Sequence, residues 1–318
     1  MTQAALADDT PFYILFNAAS GSGDAAERRA LIERTLQGSG KTYQLMPIES
    51  AAQIADVGRR AVDAAVRHSG AVIVAGGDGT INSVAQAVLP SGRPFGILPQ
   101  GTFNYSSRAH GVPLDFEEAL RSLLDARIEP VQVGLVNDRA FLVNASLGLY
   151  PELLQDREQY KRKYGRKRIV AIWSALATLM REHRPLVVEI EQGSATERLS
   201  TYSIFVGNNP LQLERIGLSE AEDVKQRRLA AILVRPLSRA QLLGLALRGA
   251  LGQLAEDRNV RNFSFRSMVV TPLGKGYKRG IKVAADGEIF WMQPPLRFAV
   301  AAQPLLLMVP SDATGAGT

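Results

Sequence analysis

A chain of 318 residues is long enough for two domains, and its 46% hydrophobic content predicts that it folds around buried cores. The 37 basic and 31 acidic residues give a net charge of +6, which indicates either ordinary solubility or an anionic partner such as a nucleotide, a nucleic acid or lipid headgroups. The absence of cysteine excludes disulfides, thiolate catalysis and cysteine-ligated metals.

The beginning of the chain, MTQAALADD, is acidic where a secretory signal would be basic. No stretch of the sequence reaches the roughly 18 apolar residues that a membrane-spanning helix needs. These features predict a cytoplasmic protein.

The N-terminal third repeats a pattern of strand, polar loop and helix. Apolar runs predict strands at Phe12–Asn17, Ala71–Ala75 and Phe95–Leu98, and apolar periodicity predicts helices at 24–37, 51–67 and 81–89. Strands that are apolar throughout are typical of parallel sheets covered by helices on both faces. We therefore predict an α/β domain with a doubly wound parallel sheet over residues 10–130.

After about Pro130 the sequence changes to short strand-like runs bounded by turn residues. These runs are RAFLVNASLGLY, PLVVEIEQ, STYSIFVGN, RLAAILVRP, FSFRSMVVTP and GIKVAADGEIFWM. Helical spacing predicts two helices among them, at Ile169–Met180 and Arg239–Leu254. The sequence predicts a β-rich second domain over residues 131–295, with flexible tails at 1–9 and 311–318.

Three polar loops leave the predicted parallel strands at the sheet edge where such sheets bind ligands. The residues proposed to bind there are Asn17, Ser20 and Gly21 in the first loop, Gly76, Gly77, Asp78, Gly79 and Thr80 in the second, and Thr102 and Asn104 in the third. Glycines let a ligand approach the backbone, and the N–H groups that begin the following helix favour an anion. The loops predict a nucleotide site, the alternative being ordinary tight turns.

Asp78 changes the ligand that the second loop is expected to bind. A carboxylate beside a bare phosphate repels it, so Asp78 predicts that a cation lies between them, as in Mg-ATP.

Four motifs in order carry a family resemblance: NAASGSG (17–23), GGDGTINSV (76–84), LPQGTFNYSSRAHGVP (98–113) and ADGE (285–288). They resemble the diacylglycerol kinase catalytic-domain family, which includes bacterial lipid kinases, sphingosine kinases and ceramide kinases. The resemblance implies an α/β nucleotide domain, a β-sandwich lipid domain, and a strand within 296–310 that returns to the first domain.

The resemblance also implies roles for individual residues. It makes Glu288 the general base, with Asp286 beside it, at the cleft between the domains and facing the γ-phosphate of ATP. It adds Asn82 and Gly101 to the nucleotide-binding set, and makes Asp78 the residue near the nucleotide-bound Mg²⁺. Without the resemblance, the Asp286–Gly287 pair between two strands predicts a hairpin turn.

The chain departs from the family pattern at three places. Tyr105, Gln132 and the run Lys225–Arg228 stand where bacterial relatives usually carry aspartates of a metal and water network. We predict that this accessory metal site is absent or rebuilt. The three histidines have no metal-ligand spacing.

Seven basic residues fall between Arg157 and Arg168, directly before the predicted helix Ile169–Met180. This adjacency predicts docking to anionic headgroups at the inner face of the membrane, the alternative being a solvated helix face. A nucleic-acid partner is not expected, because no binding module accompanies the cluster.

The leading hypothesis is a lipid kinase that uses ATP and Mg²⁺, with diacylglycerol as the first substrate and ceramide or a sphingoid base as the next. The GGDG motif also occurs in NAD kinases, so a small-molecule kinase is a second hypothesis. A nucleotide- or lipid-binding regulator without activity is a third, motivated by the missing aspartates.

Overall fold

The computed structural model describes residues 4–17, 24–149, 151, 154, 184–250, 253 and 257–311. The chain divides into two compact units. The first contains the residues up to Val133 and those from Ala301 onward, and the second is Gly134–Val300. No helix within the described ranges combines the length and apolar character needed to cross a bilayer.

The described strands are β1 Ala4–Ala5, β2 Phe12–Asn17, β3 Tyr43–Ile48, β4 Ala71–Gly76, β5 Phe95–Pro99, β6 Arg127–Val131, β7 Gly134–Val136, β8 Arg139–Phe141, β9 Asn144–Gly148, β10 Leu186–Gln192, β11 Ala195–Thr201, β12 Ser203–Gly207, β13 Leu229–Val234, β14 Val260–Phe265, β15 Ser267–Pro272, β16 Ile281–Ala285, β17 Glu288–Met292, β18 Leu296–Val300 and β19 Leu305–Val309. The described α-helices are α1 Asp24–Gly38, α2 Ile54–Arg67, α3 Asp78–Val88, α4 Tyr105–Ala109, α5 Phe116–Ser122, α6 Pro210–Arg215, α7 Ala221–Lys225 and α8 Arg239–Ala250.

The first unit is built on one sheet with the strand order β1-β6-β19-β5-β4-β2-β3. The five strands from β19 to β3 run parallel, while β6 and β1 are antiparallel to their neighbours. Every residue of β4 is buried, as expected for a strand covered on both faces.

Helices cover the two faces of this sheet. Ile14 of β2 and Ile73 of β4 are paired across the sheet, so their side chains lie on the same face. There they pack in a cluster with residues of α1 and α5. Helices α2 and α3 contact each other and the strands β2 and β4. The predicted doubly wound α/β fold is confirmed.

The second unit contains two six-stranded antiparallel sheets, with the orders β11-β10-β15-β18-β7-β8 and β14-β13-β12-β9-β16-β17. Val188 and Phe298 from the first of these sheets meet Leu147 and Val206 from the second in one buried core. The predicted β-sandwich architecture is confirmed. Helices α6, α7 and α8 contribute to a separate apolar cluster with residues of β13.

Several elements differ in extent from the sequence prediction. Helix α3 begins at Asp78, three residues before the predicted start, because an acidic residue is favourable in the first turn of a helix. The run RAFLVNASLGLY holds two strands rather than one, β8 and β9, separated at 142–143. Ala4 and Ala5, within the expected tail, pair with β6. The predicted helix Ile169–Met180 lies outside the described residues.

Candidate active site

The second and third polar loops of the first unit are joined through Asp78. Its carboxylate accepts the backbone N–H of Asn104 at 3.0 Å and that of Tyr105 at 3.1 Å, one on each oxygen. Both donors lie at the beginning of α4, where helical N–H groups have no carbonyl partner within the helix. Asp78 therefore fixes the start of α4 against the start of α3. We call this arrangement the Asp78 latch.

Asn104 shapes the third loop. It adopts the left-handed conformation (φ 48°), which asparagine tolerates better than most residues. Its side-chain Oδ1 accepts the N–H of Gly101 at 3.0 Å, and its Nδ2 donates to the carbonyl of Gly101 at 2.9 Å. The four residues from Gly101 to Asn104 thus close into a compact turn.

The glycines of the two loops allow close packing of backbone on backbone. A Cβ atom on Gly101 would lie 2.8 Å from Oδ1 of Asn104 and 3.1 Å from the Cα of Gly77. A Cβ atom on Gly76 would lie 2.8 Å from the Cβ of Thr80. These glycines are therefore needed to hold the loops together, whatever ligand they bind.

The environment of Asp78 shifts its protonation. Burial raises the pKa of Asp78, while the hydrogen bonds from the N–H groups of Asn104 and Tyr105 act in the opposite direction. The first N–H groups of α3 lie beside this carboxylate and have no carbonyl partner within the helix. Such N–H groups favour an anion, and the binding of a nucleotide phosphate at this position stays a prediction.

The other predicted nucleotide-binding residues occupy different environments. Asn17 ends β2, Thr102 is exposed in the third loop, and Asn82 is buried on α3. Gly79 and Thr80 lie in the first turn of α3. Ser20 and Gly21 lie outside the described residues.

The described residues offer few ligands for a resident metal ion. They contain no cluster of three or more His, Asp or Glu side chains suited to a cation. Mg²⁺ is often held by only one or two carboxylates together with substrate phosphates, and Asp78 supplies one carboxylate. The chain therefore fits a metal that arrives with the nucleotide better than a metal held by protein alone.

Two of the residues that stand where relatives usually carry aspartates, Tyr105 and Lys225, make contacts with neighbouring side chains. The Tyr105 ring stacks on Phe103, with centroids 5.6 Å apart. Lys225 is paired with Glu222 at 2.9 Å. The absence of the accessory metal site stays a prediction.

In the second unit, the ADGE motif forms the hairpin between β16 and β17. Asp286 and Gly287 both have positive φ, 46° and 86°, which is the conformation that a two-residue hairpin turn requires. The predicted hairpin is present, and it places Glu288 at the first position of β17.

The carboxylate of Asp286 binds the backbone that separates β8 from β9. Oδ2 accepts the N–H of Leu142 at 2.7 Å, and Oδ1 accepts those of Val143 and Asn144, both at 2.9 Å. The N–H of Asp286 donates to the carbonyl of Asn144 at 2.9 Å. Asp286 thus anchors the hairpin that carries Glu288.

Glu288 is half exposed, with 47% of its side chain accessible. Partial burial raises the pKa of Glu288, and the positive charge of Arg139 partly offsets this effect. The Nη2 atom of Arg139 lies 3.9 Å from Oε2 of Glu288. A carboxylate with a raised pKa, facing one cation, has the properties of a general base.

Arg139 was not predicted from the sequence. Its guanidinium lies over the ring of Phe290, with Cζ 3.5 Å from the ring centroid, and its buried Nε has no hydrogen-bond partner. The stacking holds the guanidinium on β17 beside Glu288. Nothing in the local sequence of β8 indicates this role, because Arg139 and Glu288 are about 150 residues apart in the chain and meet only in the folded unit.

The first unit matches a known family. Residues 11–136 match the model of the diacylglycerol kinase catalytic domain. This segment contains the Asp78 latch and all three loops. This segment is similar to the diacylglycerol kinase catalytic domain. The family resemblance predicted from the four motifs is confirmed.

Curated proteins and solved structures are similar to this chain. The diacylglycerol kinase of Bacillus subtilis is 34% identical over 140 residues, covering 43% of this chain and 45% of that protein. The "Probable lipid kinase YegS-like" of Cronobacter sakazakii is 40% identical over 97 residues, covering 29% of this chain and 32% of that protein. A diacylglycerol kinase structure from Bacillus anthracis superposes with a TM-score of 0.69 at 19% identity, covering 95% of this chain and 98% of that one.

These matches cover different shares of the chain and of its relatives. The chain matches less than half the length of the curated relatives, whereas the structural likeness extends over nearly the whole chain. The likeness to the Bacillus anthracis structure supports the fold of both units. Activity and substrate follow as proposals.

Proposed function

We propose that the protein is an ATP-dependent lipid kinase that transfers the γ-phosphate of ATP to the hydroxyl group of a membrane lipid. The observation that carries this proposal is the Asp78 latch within a diacylglycerol kinase catalytic domain. The latch fixes the second and third loops around the N-terminus of α3, where a phosphate group is favoured by the helical N–H groups.

The nucleotide is bound by the edge of the first sheet. The backbone N–H groups at the start of α3 would bind phosphate oxygens, and the exposed hydroxyl of Thr102 offers a further donor. Mg²⁺ bound to the nucleotide would supply charge neutralisation at the β- and γ-phosphates, and Asp78 is the carboxylate assigned to face it.

The transfer step requires a base for the lipid hydroxyl. Glu288 accepts the hydroxyl proton as the lipid oxygen bonds to the γ-phosphorus and the bond from that phosphorus to the β–γ bridging oxygen breaks, which releases ADP. The positive charge of Arg139 partly offsets the rise that burial causes in the pKa of Glu288. Asp286 positions the hairpin and is already occupied by three backbone donors, so its contacts suit an orienting role.

Diacylglycerol is the first substrate proposed, because the Bacillus subtilis relative is named a diacylglycerol kinase. The test is incubation with labelled ATP and a panel of diacylglycerol, ceramide, sphingosine and NAD, with identification of the labelled product. Glu288→Gln serves as the matched control, since it preserves the size of the side chain.

Each result of this panel decides between the hypotheses. Labelled phosphatidic acid supports the proposal, and a labelled ceramide or sphingoid base moves the substrate to that class. Labelled NADP supports a small-molecule kinase. A folded protein that binds ATP and labels nothing across a range of lipids and detergents supports a regulator without activity.

The protein is further proposed to work in the cytoplasm at the inner face of the membrane. The basic cluster Arg157–Arg168, which lies outside the described residues, carries seven positive charges suited to anionic headgroups.

A further inference from the structure

A second basic surface lies in the second unit, on residues that the structure describes. It surrounds a cavity of about 510 Å³ at the end of the sheet where β9 ends and β16 begins. Leu149, Ile281 and Trp291 contribute apolar lining, and Arg184 and Lys282 contribute positive charge. No acidic side chain is among the described residues that line it.

Trp291 is the most exposed large apolar side chain among those described, at 68%. It lies directly opposite Lys282 in the β16–β17 ladder, and the Lys282 Nζ is 5.6 Å from the centre of its ring. The neighbours of Trp291 on β17, Phe290 and Met292, pack against the core. Trp291 therefore points away from the core, into the surroundings of the protein.

The chain around this surface is strongly basic. Residues 273–285 contain three lysines and one arginine and no acidic residue. Arg279 and Arg184 are both exposed. An exposed tryptophan among cations is the composition found where proteins meet the headgroup region of a bilayer, since the indole prefers the interface and the cations are attracted to anionic lipids.

We propose that Arg184, Arg279, Lys282 and Trp291 form a docking surface, here called the Trp291 surface, for the headgroup region of an anionic phospholipid bilayer. The proposal rests on the proposed function only in that a lipid kinase must reach a membrane. It assigns the contact to residues distinct from the Arg157–Arg168 cluster and from the candidate active site.

The test uses the small number of tryptophans in the chain. The protein has two, so in a Trp173→Phe background the emission reports Trp291 alone. Without nucleotide, vesicles of phosphatidylcholine with 30% phosphatidylglycerol should shift this emission to shorter wavelength and protect it from acrylamide. Vesicles of phosphatidylcholine alone should do so much less.

Charge removal gives the second arm of the test. Each basic residue near an anionic surface contributes on the order of 1 kcal/mol, so the double variant Arg184→Gln/Lys282→Gln should lose about thirtyfold in vesicle affinity. Arg59→Gln/Arg60→Gln on α2 removes the same charge from exposed positions elsewhere and should leave affinity nearly unchanged. Co-sedimentation of Trp291→Ala in the otherwise natural chain repeats the measurement without the Trp173 change.

Three outcomes would overturn the Trp291 surface. Unchanged Trp291 emission while the protein co-sediments with anionic vesicles would place the contact elsewhere. A shift that depends on protein concentration without vesicles would indicate contact between copies of the chain. Equal losses in the α2 control would indicate a general charge effect. Because no arm uses ATP, failure here leaves the kinase proposal standing, and a failed substrate panel leaves these measurements valid.

Discussion

Replacing Asp286 by Asn tests whether this carboxylate anchors the β16–β17 hairpin. Asn has nearly the same shape and tolerates the positive φ of position 286, so the change isolates the charge. Its single carbonyl oxygen can replace Oδ1 and keep the bonds to Val143 and Asn144. Its NH₂ group then takes the place of Oδ2 and faces the N–H of Leu142, which was bonded at 2.7 Å.

The cost follows from these contacts. One buried donor loses its acceptor, which costs about 1–3 kcal/mol, and the two remaining bonds are no longer charge-assisted. We expect the second unit to lose about 2–4 kcal/mol of unfolding free energy. With a urea dependence of about 1–3 kcal/mol per molar, the transition should move down by about 1–4 M.

Urea unfolding followed by far-UV circular dichroism measures this effect. Glu288→Gln is the matched control, because its ion pair is half exposed and long, and such pairs contribute little to stability. If Asp286→Asn moves the transition no more than the Glu288 control does, the anchoring role of Asp286 is wrong.

Four further predictions concern activity. Glu288→Gln should lower kcat by about 10²–10⁴-fold with ATP affinity nearly unchanged, and intact turnover would mean that the base lies elsewhere. Arg139→Gln removes the charge that lowers the pKa of Glu288, so the acid limb of the kcat–pH profile should move to higher pH; Arg139→Lys should move it less, and an unmoved limb in both variants would contradict the positioning role. Asp78→Asn should strongly weaken the use of Mg-ATP, since it loses both the charge and part of the latch, and wild-type turnover at ordinary Mg²⁺ levels would refute the assignment. Reversing Lys161, Lys163, Arg166 and Lys167 to Glu should reduce activity on anionic vesicles and the salt sensitivity of binding, whereas unchanged co-sedimentation would make the cluster a solvated face.

The sequence predicts much of the first unit because its signals are local. The run Phe12–Asn17 is apolar up to Phe16 and forms β2 over the same residues. The helix predicted over 24–37 ends one residue before the end of α1. A run of apolar side chains, and a change from strand to helical spacing of the apolar residues, can be recognised in the sequence without knowing which elements pack together.

The contacts of the candidate site were less accessible because they are not local. The Asp78 latch joins two loops that are separated in sequence by a strand and a helix. The pairing of Arg139 with Glu288 joins the second strand of the second unit to one of its last strands in chain order. The sequence singles out Asp78 as an acid among glycines, which suggests a cation. It does not show that both carboxylate oxygens accept backbone N–H groups, since this depends on the left-handed turn at Asn104.

The position of β19 has a consequence for how the protein is made. This strand lies between β5 and β6, so the sheet that carries the candidate site of the first unit is completed only by residues 305–309. When the ribosome has synthesised the matched segment 11–136, the edges of β5 and β6 that face β19 in the finished sheet are still unpaired. The core cluster of this unit also still lacks Met308. Unpaired edges invite association with other chains. We therefore expect the first unit to reach its final form only late in synthesis, and fragments that end before β19 to aggregate when expressed alone.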